Sequence, residues 1–199
     1  FVKNIGHEGK IKELEILVKH ILNGSEIVST QERVFEEDLN VSGRPDVILK
    51  EGNDLIVEEI KTVNSRVFWY QAIKNEVNAI QGMKPQPHHE YQLIFYLKKL
   101  LEKYPNIKGR LRYKSRDDGT EMTVPIPYQE EKWQKIRKTF LYLEDCWAKN
   151  ELPVTPDSVI FDDSKRKYVV NWKAKYCQYH HICLGDTNWE KQAYKQSIE

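Results

Sequence analysis

The chain has 199 residues, 31% of them charged, and a formal net charge of +1 at pH 7. This length allows one domain with a sizeable core, and the small net charge excludes nucleic-acid binding through a global positive field, so such binding would need local basic clusters. No apolar run is long enough to predict a membrane span and no signal peptide is visible, although the sequence begins at Phe1 and a targeting segment before it stays open.

The first predicted element is a helix that begins near His7. Its apolar residues recur at three- and four-residue spacing, and Gly24 is a candidate C-cap. The helix is followed by a predicted strand from Glu26 to Glu36. The apolar side of the helix consists of Ile11, Leu14, Val18, Ile21 and Leu22.

Two further strands are predicted from Asp46 to Lys50 and from Leu55 to Thr62. Between them, residues 51–54 have the sequence Glu-Gly-Asn-Asp, which is typical of a tight turn. A hairpin is therefore predicted, and it would fold the start of the first strand back beside the second.

The charged residues of this hairpin suggest a metal-binding site. Strand alternation places Glu59 and Lys61 on one face and Ile60 on the other, and the hairpin would bring Asp46 next to Glu59. Oxygen ligands of this kind suit Mg²⁺ or Mn²⁺, and a lysine beside a metal can orient or deprotonate water. The alternative is a solvated strand face, because charged residues are frequent in this chain.

Aromatic residues follow the second strand directly, at Phe68, Trp69 and Tyr70. Unpaired bases stack on exposed aromatic side chains, so Trp69 or Tyr70 is a candidate for DNA binding. The alternative is that the triplet covers the core, and we expect this for two of its three residues.

A helix is predicted to begin at Pro87 and to continue to Leu101. Gln92 and Tyr96 lie one turn apart on one side of it, with His89 three residues before Gln92. The alternative interpretation is that Tyr96 is an ordinary core aromatic and Gln92 a solvated residue. The predicted core stripe of this helix consists of Leu93, Leu97, Leu100 and Leu101.

Basic residues alternate along the next predicted strand, Gly109 to Ser115, ahead of an Asp118-Gly119 turn. One strand face would hold much of the positive charge, and Arg112 and Lys114 are the candidate DNA-binding residues. A solvated edge strand protected by charge is the alternative.

The remaining chain is predicted as a helix from about Gln129 to Lys149, a linker at residues 150–157 and a small C-terminal cap. We expect residues 1–150 to form the core and residues 151–199 the cap of the same structural domain. Three cysteines this unevenly placed favour a reducing, intracellular location over a disulfide framework. Cys146 is predicted to be a buried thiol.

The order of these motifs resembles the PD-(D/E)XK nuclease superfamily. The carrying residues are Gly43-Arg44-Pro45-Asp46, the Glu59-x-Lys61 strand and Gln92-x-x-x-Tyr96. Within the superfamily the chain is similar to RecB-like exonucleases, which include CRISPR-associated adaptation nucleases and their phage relatives. The resemblance implies an α/β fold of restriction-endonuclease-like type, with a mixed central sheet flanked by helices.

The resemblance also implies a site. One or two Mg²⁺ or Mn²⁺ ions would be held by His7, Asp46, Glu59 and the carbonyl of Ile60, while Lys61 positions or activates the attacking water. Gln92 and Tyr96 would fix the nucleotide next to the cut. Similar proteins also have a glutamate in the first helix, one or two turns after this histidine. Glu58, on the opposite strand face, is predicted to pair with a lysine or arginine.

The C-terminal cap departs from the family pattern. RecB-like proteins with a [4Fe-4S] cluster have three cysteines there and a fourth near the N-terminus; Cys177 and Cys183 match two of them, but Ala174 replaces another. A four-thiolate cluster therefore cannot be assembled from the family positions in this chain. Three alternatives stay open: a cap that packs without metal, a sequence altered or shortened at these places, or a Zn²⁺ site formed by Cys177, Cys183 and either His180 or His181.

The function predicted from the resemblance is metal-dependent hydrolysis of DNA, by an exonuclease acting on single-stranded ends. Its pathway is open among repair, recombination, phage replication and CRISPR adaptation. A structure-selective or restriction-like endonuclease of the same fold is the first alternative. A non-catalytic DNA-binding subunit of a recombination, replication or spacer-acquisition complex is the second, and a metal-dependent RNase a third. A homo-oligomer or a partner nuclease subunit is also open, and no membrane partner is expected.

Overall fold

The computed structural model describes residues 2–68, 85–151, 159–162 and 166–170, and of residues 2–8 it describes the backbone alone. The chain divides into two compact units, Phe1–Phe140 and Leu141–Glu199, so the division falls ten residues before the predicted boundary at 150. The first unit contains the central sheet and every described residue of the predicted catalytic cluster.

A five-stranded mixed sheet forms the centre of the first unit, in the order β1-β4-β5-β6-β7. Neighbouring strands are antiparallel except β5 and β6, which are parallel. A separate antiparallel pair is formed by β2 and β3. The strands are β1 Glu26–Thr30, β2 Val34–Glu36, β3 Val41–Gly43, β4 Val47–Glu51, β5 Asp54–Val63, β6 Lys108–Ser115 and β7 Glu121–Ile126.

The β4–β5 hairpin forms as the turn residues predict. Glu51 pairs with Asp54 around Gly52, whose φ of 60° is accessible to glycine at little cost. Val47 pairs with Glu58, and the next position towards the start of the chain, Asp46, therefore lies opposite Glu59. The single strand predicted from Glu26 to Glu36 was wrong in one respect: it is broken into β1 and β2 at residues 31–33.

Among the described residues, three long helices accompany the strands: α1 Val2–Leu22, α2 Pro87–Lys103 and α3 Glu130–Ala148. Helix α1 ends before Gly24, which has a φ of 82°, as predicted for a C-cap. The sheet with α1 on one face and α2 on the other is the predicted mixed α/β architecture, consistent with a restriction-endonuclease-like fold.

The predicted apolar side of α1 does not face the sheet. Its five residues are exposed, with Leu14 at 61%, whereas Ile16 and His20 are buried. The reason lies in the sheet, because β5 and β6 present Glu58, Arg110 and other charged side chains to this helix. A polar helix face pairs with these charges. Hydrophobic periodicity therefore predicted the helix correctly, but it predicted the wrong face of the helix to be buried.

Helix α2 packs as predicted, with Leu93, Leu97 and Leu100 buried in the main core. The helix approaches β6 closely at Gly109, where an added Cβ would lie 2.7 Å from the Leu97 side chain and 2.5 Å from the Ile126 carbonyl. A larger residue there would separate the helix from the sheet, and the position of α2 fixes that of Gln92 and Tyr96.

In the second unit, β8 Val159–Asp162 and β9 Lys167–Val170 form an antiparallel pair, and Cys146 is buried as predicted. The predicted cap residues Ala174, Cys177, His180, His181 and Cys183 lie outside the described residues. Among the described helices, none combines the length and apolar character that crossing a membrane requires.

Candidate active site

Asp46 lies immediately before β4 and is anchored to the neighbouring strand. Its Oδ2 accepts a hydrogen bond from the Ile60 backbone N–H at 2.7 Å, and its Oδ1 accepts one from Gln31 Nε2 at 3.1 Å. The Gln31 backbone N–H also donates to the Asp46 carbonyl at 3.2 Å. These bonds hold the carboxylate at the edge of the hairpin, beside Glu59.

A hydrogen-bonded cluster joins β5 to α2. Lys61 Nζ lies 2.8 Å from both Glu59 Oε1 and Gln92 Oε1, and Gln92 Nε2 donates to Glu59 Oε1 at 2.8 Å. Gln92 Nε2 also donates to the Tyr96 hydroxyl at 2.8 Å. The structure thus brings together five of the residues predicted from the sequence, and we call Asp46, Glu59, Lys61, Gln92 and Tyr96 the carboxylate–lysine cluster.

The carboxylates of this cluster are electrostatically strained. Glu59 is 3% exposed, and burial together with the charge of Asp46 raises its pKa to about 7, despite the opposing effect of Lys61. Burial also raises the pKa of Asp46, while the Ile60 N–H and Lys61 lower it. A buried carboxylate beside a half-buried one is a common feature of sites that bind cations or exchange protons.

One oxygen of the cluster lacks a partner. Glu59 Oε2 is buried and accepts no hydrogen bond within the described part of the chain, although a buried carboxylate oxygen is ordinarily paired. A divalent cation would satisfy this oxygen and offset the repulsion from Asp46. Hard oxygen donors from two carboxylates and a nearby carbonyl are the donor type that Mg²⁺ and Mn²⁺ prefer, so the residues fit the predicted ion.

The ligand set is incomplete among the described residues, where no group of three or more His, Cys, Asp and Glu side chains forms a metal cluster. The predicted ligand His7 lies in α1, but its side chain is outside the description. Glu13, nearly two turns later on α1, is near enough to Asp46 to be affected: burial and then the Asp46 charge raise its pKa.

A groove of about 690 Å³ opens on the α1 side of Asp46. Its lining includes Lys10 and Glu13 from α1 and Gln31 from the break after β1. Sequence reasoning named none of these three. The family's helical glutamate was the signal for Glu13, whereas Gln31 became visible only when the strand break was known.

Glu58 belongs to a different network, on the α1 face of the sheet. It is fully buried and is contacted by His20 at 2.8 Å, by Arg112 at 2.8 Å and by Arg110. Burial raises the pKa of Glu58, but these hydrogen bonds and charges outweigh it and lower the pKa to about 2. The predicted pairing of Glu58 with an arginine is therefore present, with a histidine added.

The two basic residues predicted to bind DNA are occupied in this network. Lys114 is 2% exposed and its Nζ contacts Glu15 at 2.8 Å and Glu121 at 3.3 Å. Arg112 bonds to Glu58 and to Glu121. Alternation along β6 was predicted correctly, but Arg112 is paired with carboxylates of β5 and β7 and Lys114 with carboxylates of α1 and β7, so neither presents a free cation to a ligand. Trp69 and Tyr70 lie outside the described residues.

Comparison with known proteins gives distant structural similarity alone. No protein-family model matches the chain, and no curated protein matches it. The chain is similar to the solved structure described as "Crystal structure of SSO0001", with 23% identity, a TM-score of 0.48 and coverage of 90% of this chain and 70% of that one. It is also similar to an alkaline exonuclease (LHK-Exo) from Laribacter hongkongensis, with 15% identity, a TM-score of 0.44 and coverage of 72% and 74%. Similarity this distant does not decide function.

Proposed function

We propose that this protein is a metal-dependent nuclease that hydrolyses phosphodiester bonds of DNA, acting as an exonuclease on single-stranded ends. The observation that carries the proposal is the buried, unpartnered Glu59 Oε2 beside Asp46, with Lys61 held 2.8 Å from the other oxygen of Glu59. This combination matches the chemistry of a cation, a water molecule and a phosphate meeting at one point.

In this proposal Asp46, Glu59 and the Ile60 carbonyl would hold Mg²⁺ or Mn²⁺, with His7 as a further ligand. When bound, the ion supplies Lewis acidity and neutralises negative charge on the phosphate. The protein supplies the geometry, since the Ile60 N–H orients Asp46 and the Gln92 amide orients Glu59. These donors fix both carboxylates before the ion arrives, which reduces the cost of organising the site.

Lys61 is the residue proposed to act on the water. An ammonium has three N–H donors, and in the folded chain one is within reach of Glu59 and one within reach of Gln92. The third remains to orient the attacking water or to contact the phosphate. Tyr96 stabilises this arrangement indirectly, because its hydroxyl accepts the second N–H of the Gln92 amide.

Exposed basic residues near the cluster offer contacts for the phosphate backbone. Lys10 lines the groove at Asp46, and Arg44 is exposed two residues before Asp46. We propose these two in place of Arg112 and Lys114, because a basic residue already paired with two carboxylates gains little from a phosphate. The proposed partner is DNA; iron–sulfur or zinc binding by Cys177 and Cys183 and association with further subunits remain separate hypotheses.

The decisive experiment compares the wild-type protein with Lys61→Ala on end-labelled linear single-stranded DNA, its circular counterpart and the matching RNA, in Mn²⁺, in Mg²⁺ and in EDTA. Lys50→Ala is the control, because Lys50 is an exposed lysine on the adjacent strand. We expect degradation of linear DNA only, dependent on metal and at least about a hundredfold slower in Lys61→Ala alone.

Other results would select among the alternatives. Cutting of the circle would establish an endonuclease, and preferential cutting of RNA an RNase. Retained DNA binding without cleavage in either metal would contradict the proposal and favour a non-catalytic DNA-binding subunit.

A further inference from the structure

A second cavity lies directly against the carboxylate–lysine cluster. It has a volume of about 560 Å³ and is lined by residues of β3, α2 and α3, all within the first unit. Two of its wall residues, Gln92 and Tyr96, are the ones that hydrogen-bond to Glu59 and to each other. A group bound in this pocket would therefore lie next to the proposed point of cleavage.

The interior of the pocket is predominantly aromatic. Its lining includes Phe95 and Tyr96, both buried, and Tyr91 and Phe140, both half-buried. Planar apolar surfaces of this kind bind flat heteroaromatic groups, and the volume is in the range of sites for small organic groups. The position of the cavity next to a proposed phosphodiester cleavage site makes a nucleobase the fitting occupant.

The mouth of the pocket has a different chemistry from its interior. Ser42, His88, Lys135 and Thr139 line it and are exposed. Lys135 forms no ion pair within the described part of the chain, in contrast to Lys132, one turn earlier, which is paired with Glu90. A free cation at the edge of an aromatic pocket matches a nucleotide whose base is inserted and whose phosphate stays at the surface.

We propose that this pocket binds an unpaired nucleobase of the strand being cut, from a nucleotide adjacent to the scissile phosphate. The inference rests on the proposed nuclease function and adds a reason for its strand preference. A base can enter only after it leaves its stack and its pairing partner, which is easiest in single-stranded DNA. Duplex ends would be cut only after fraying.

Filling the pocket without disturbing the core tests this proposal. Thr139→Trp places an indole from an exposed helical position into the cavity, and Gln134→Trp, at an exposed position of the same helix outside this cavity, is the matched control. The first measurement is saturation-transfer NMR with dAMP and dTMP in EDTA, where neither metal nor cleavage contributes. We expect transfer to the base protons with wild type and Gln134→Trp, and its loss with Thr139→Trp.

Cleavage kinetics supply the second measurement, on linear single-stranded DNA with one abasic nucleotide placed in turn at each position around the cut. With intact DNA, we expect the KM of Thr139→Trp to rise about tenfold while kcat stays within about twofold, because the pocket binds a base and does not touch the reacting atoms. An abasic nucleotide at the pocket position should raise the KM of wild type similarly and leave Thr139→Trp unaffected.

The two measurements separate failure of this proposal from failure of the nuclease proposal. Nucleotide binding that Thr139→Trp abolishes, in a protein without cleavage activity, would support the pocket and contradict the nuclease. Metal-dependent cleavage with the same KM in Thr139→Trp and wild type would overturn the pocket and leave the nuclease intact. Equal loss of NMR transfer in both tryptophan variants, or no transfer to wild type, would also overturn it.

Discussion

Gln92 Nε2 donates a hydrogen bond to Glu59 Oε1 at 2.8 Å across 33 residues of sequence, while the carbonyl oxygen of the same amide lies 2.8 Å from Lys61 Nζ. One side chain therefore orients both the carboxylate and the amine. The amide is neutral, so it does this without changing the charge of the site. The arrangement is rigid because α2, the helix that contains Gln92, packs closely against β6.

Removal of this amide should impair turnover more than substrate affinity. For Gln92→Ala we expect a fall of about 10- to 100-fold in the single-turnover rate with Mn²⁺, because Lys61 and Glu59 lose their shared support. Gln134→Ala, on the exposed side of α3, should keep the wild-type rate. An unchanged rate in Gln92→Ala would mean that Glu59 and Lys61 orient each other adequately.

Metal binding should be measurable without any substrate. At a Mn²⁺ concentration of about 100 Kd, the free energy of unfolding should rise by about 2.7 kcal/mol, or about 5 to 10 °C in Tm for a chain of this size. Asp46→Asn should remove most of this increase, and EDTA should reverse it. Asp54→Asn, an exposed position in the same hairpin, should respond as wild type does. An equal shift in all three proteins would contradict the assigned ligands.

Adjacent glutamates on opposite faces of β5 should respond in opposite ways. Glu58→Gln removes the charge that balances His20, Arg110 and Arg112, and we expect a loss of about 3 kcal/mol or more in the free energy of unfolding. Glu59→Gln should change it by less than about 1 kcal/mol, since this carboxylate is already disfavoured by burial and by Asp46. Urea unfolding in EDTA measures both, and equal losses would show that the two faces are not distinct.

Gly43, in the Gly-Arg-Pro-Asp sequence, should tolerate no side chain. An added Cβ would overlap the Tyr96 ring and approach Phe95 to 3.3 Å, so Gly43→Ala should destabilise the fold by about 1 to 3 kcal/mol. Gly9→Ala is the matched control: its Cβ would lie 3.7 Å from Thr62, and alanine favours the helix by up to about 1 kcal/mol. Equal stability of the two variants would contradict the close approach of β3 to α2.

His89 should lower stability in mild acid, against the opposite contribution of Glu59, whose raised pKa favours the folded chain as the pH falls below about 7. Burial, followed by the charges of His88 and Lys61, lowers the pKa of His89 to about 4, from an ordinary value of 6.5. The Tyr113 hydroxyl accepts the Gln86 N–H at 3.2 Å and lies 2.9 Å from His89 Nδ1, where its own proton is best received by a neutral ring.

The unfolded chain binds this proton more readily than the folded one, so the contribution of His89 is complete above about pH 6.5 and is lost as the pH falls towards 4. We expect a decrease on the order of 1 to 2 kcal/mol between pH 7.5 and pH 5 from this group. The difference in the free energy of unfolding between wild type and His89→Gln isolates this contribution, because Glu59 is common to both proteins, and it should fall by that amount between pH 7.5 and pH 5. An NMR titration midpoint near 6.5 for His89 would contradict the prediction.

Much of the carboxylate–lysine cluster follows from the sequence because it depends on local rules. Strand alternation places Glu59 and Lys61 together, the turn at 51–54 returns Asp46 to Glu59, and helical spacing aligns Gln92 with Tyr96. These relationships are short in sequence or are fixed by one hairpin. They needed no knowledge of how the layers pack.

Tertiary structure decided which face each element presents. The apolar stripe of α1 was expected to be buried, but the charged face of β5 and β6 selected the side with His20 instead. The same packing removed Arg112 and Lys114 from the candidate DNA surface by pairing them with carboxylates. Long-range charge pairing has no period in the sequence, because it depends on which strands become neighbours. The unpartnered oxygen of Glu59 and the pocket beside Tyr96 likewise depend on how the elements pack.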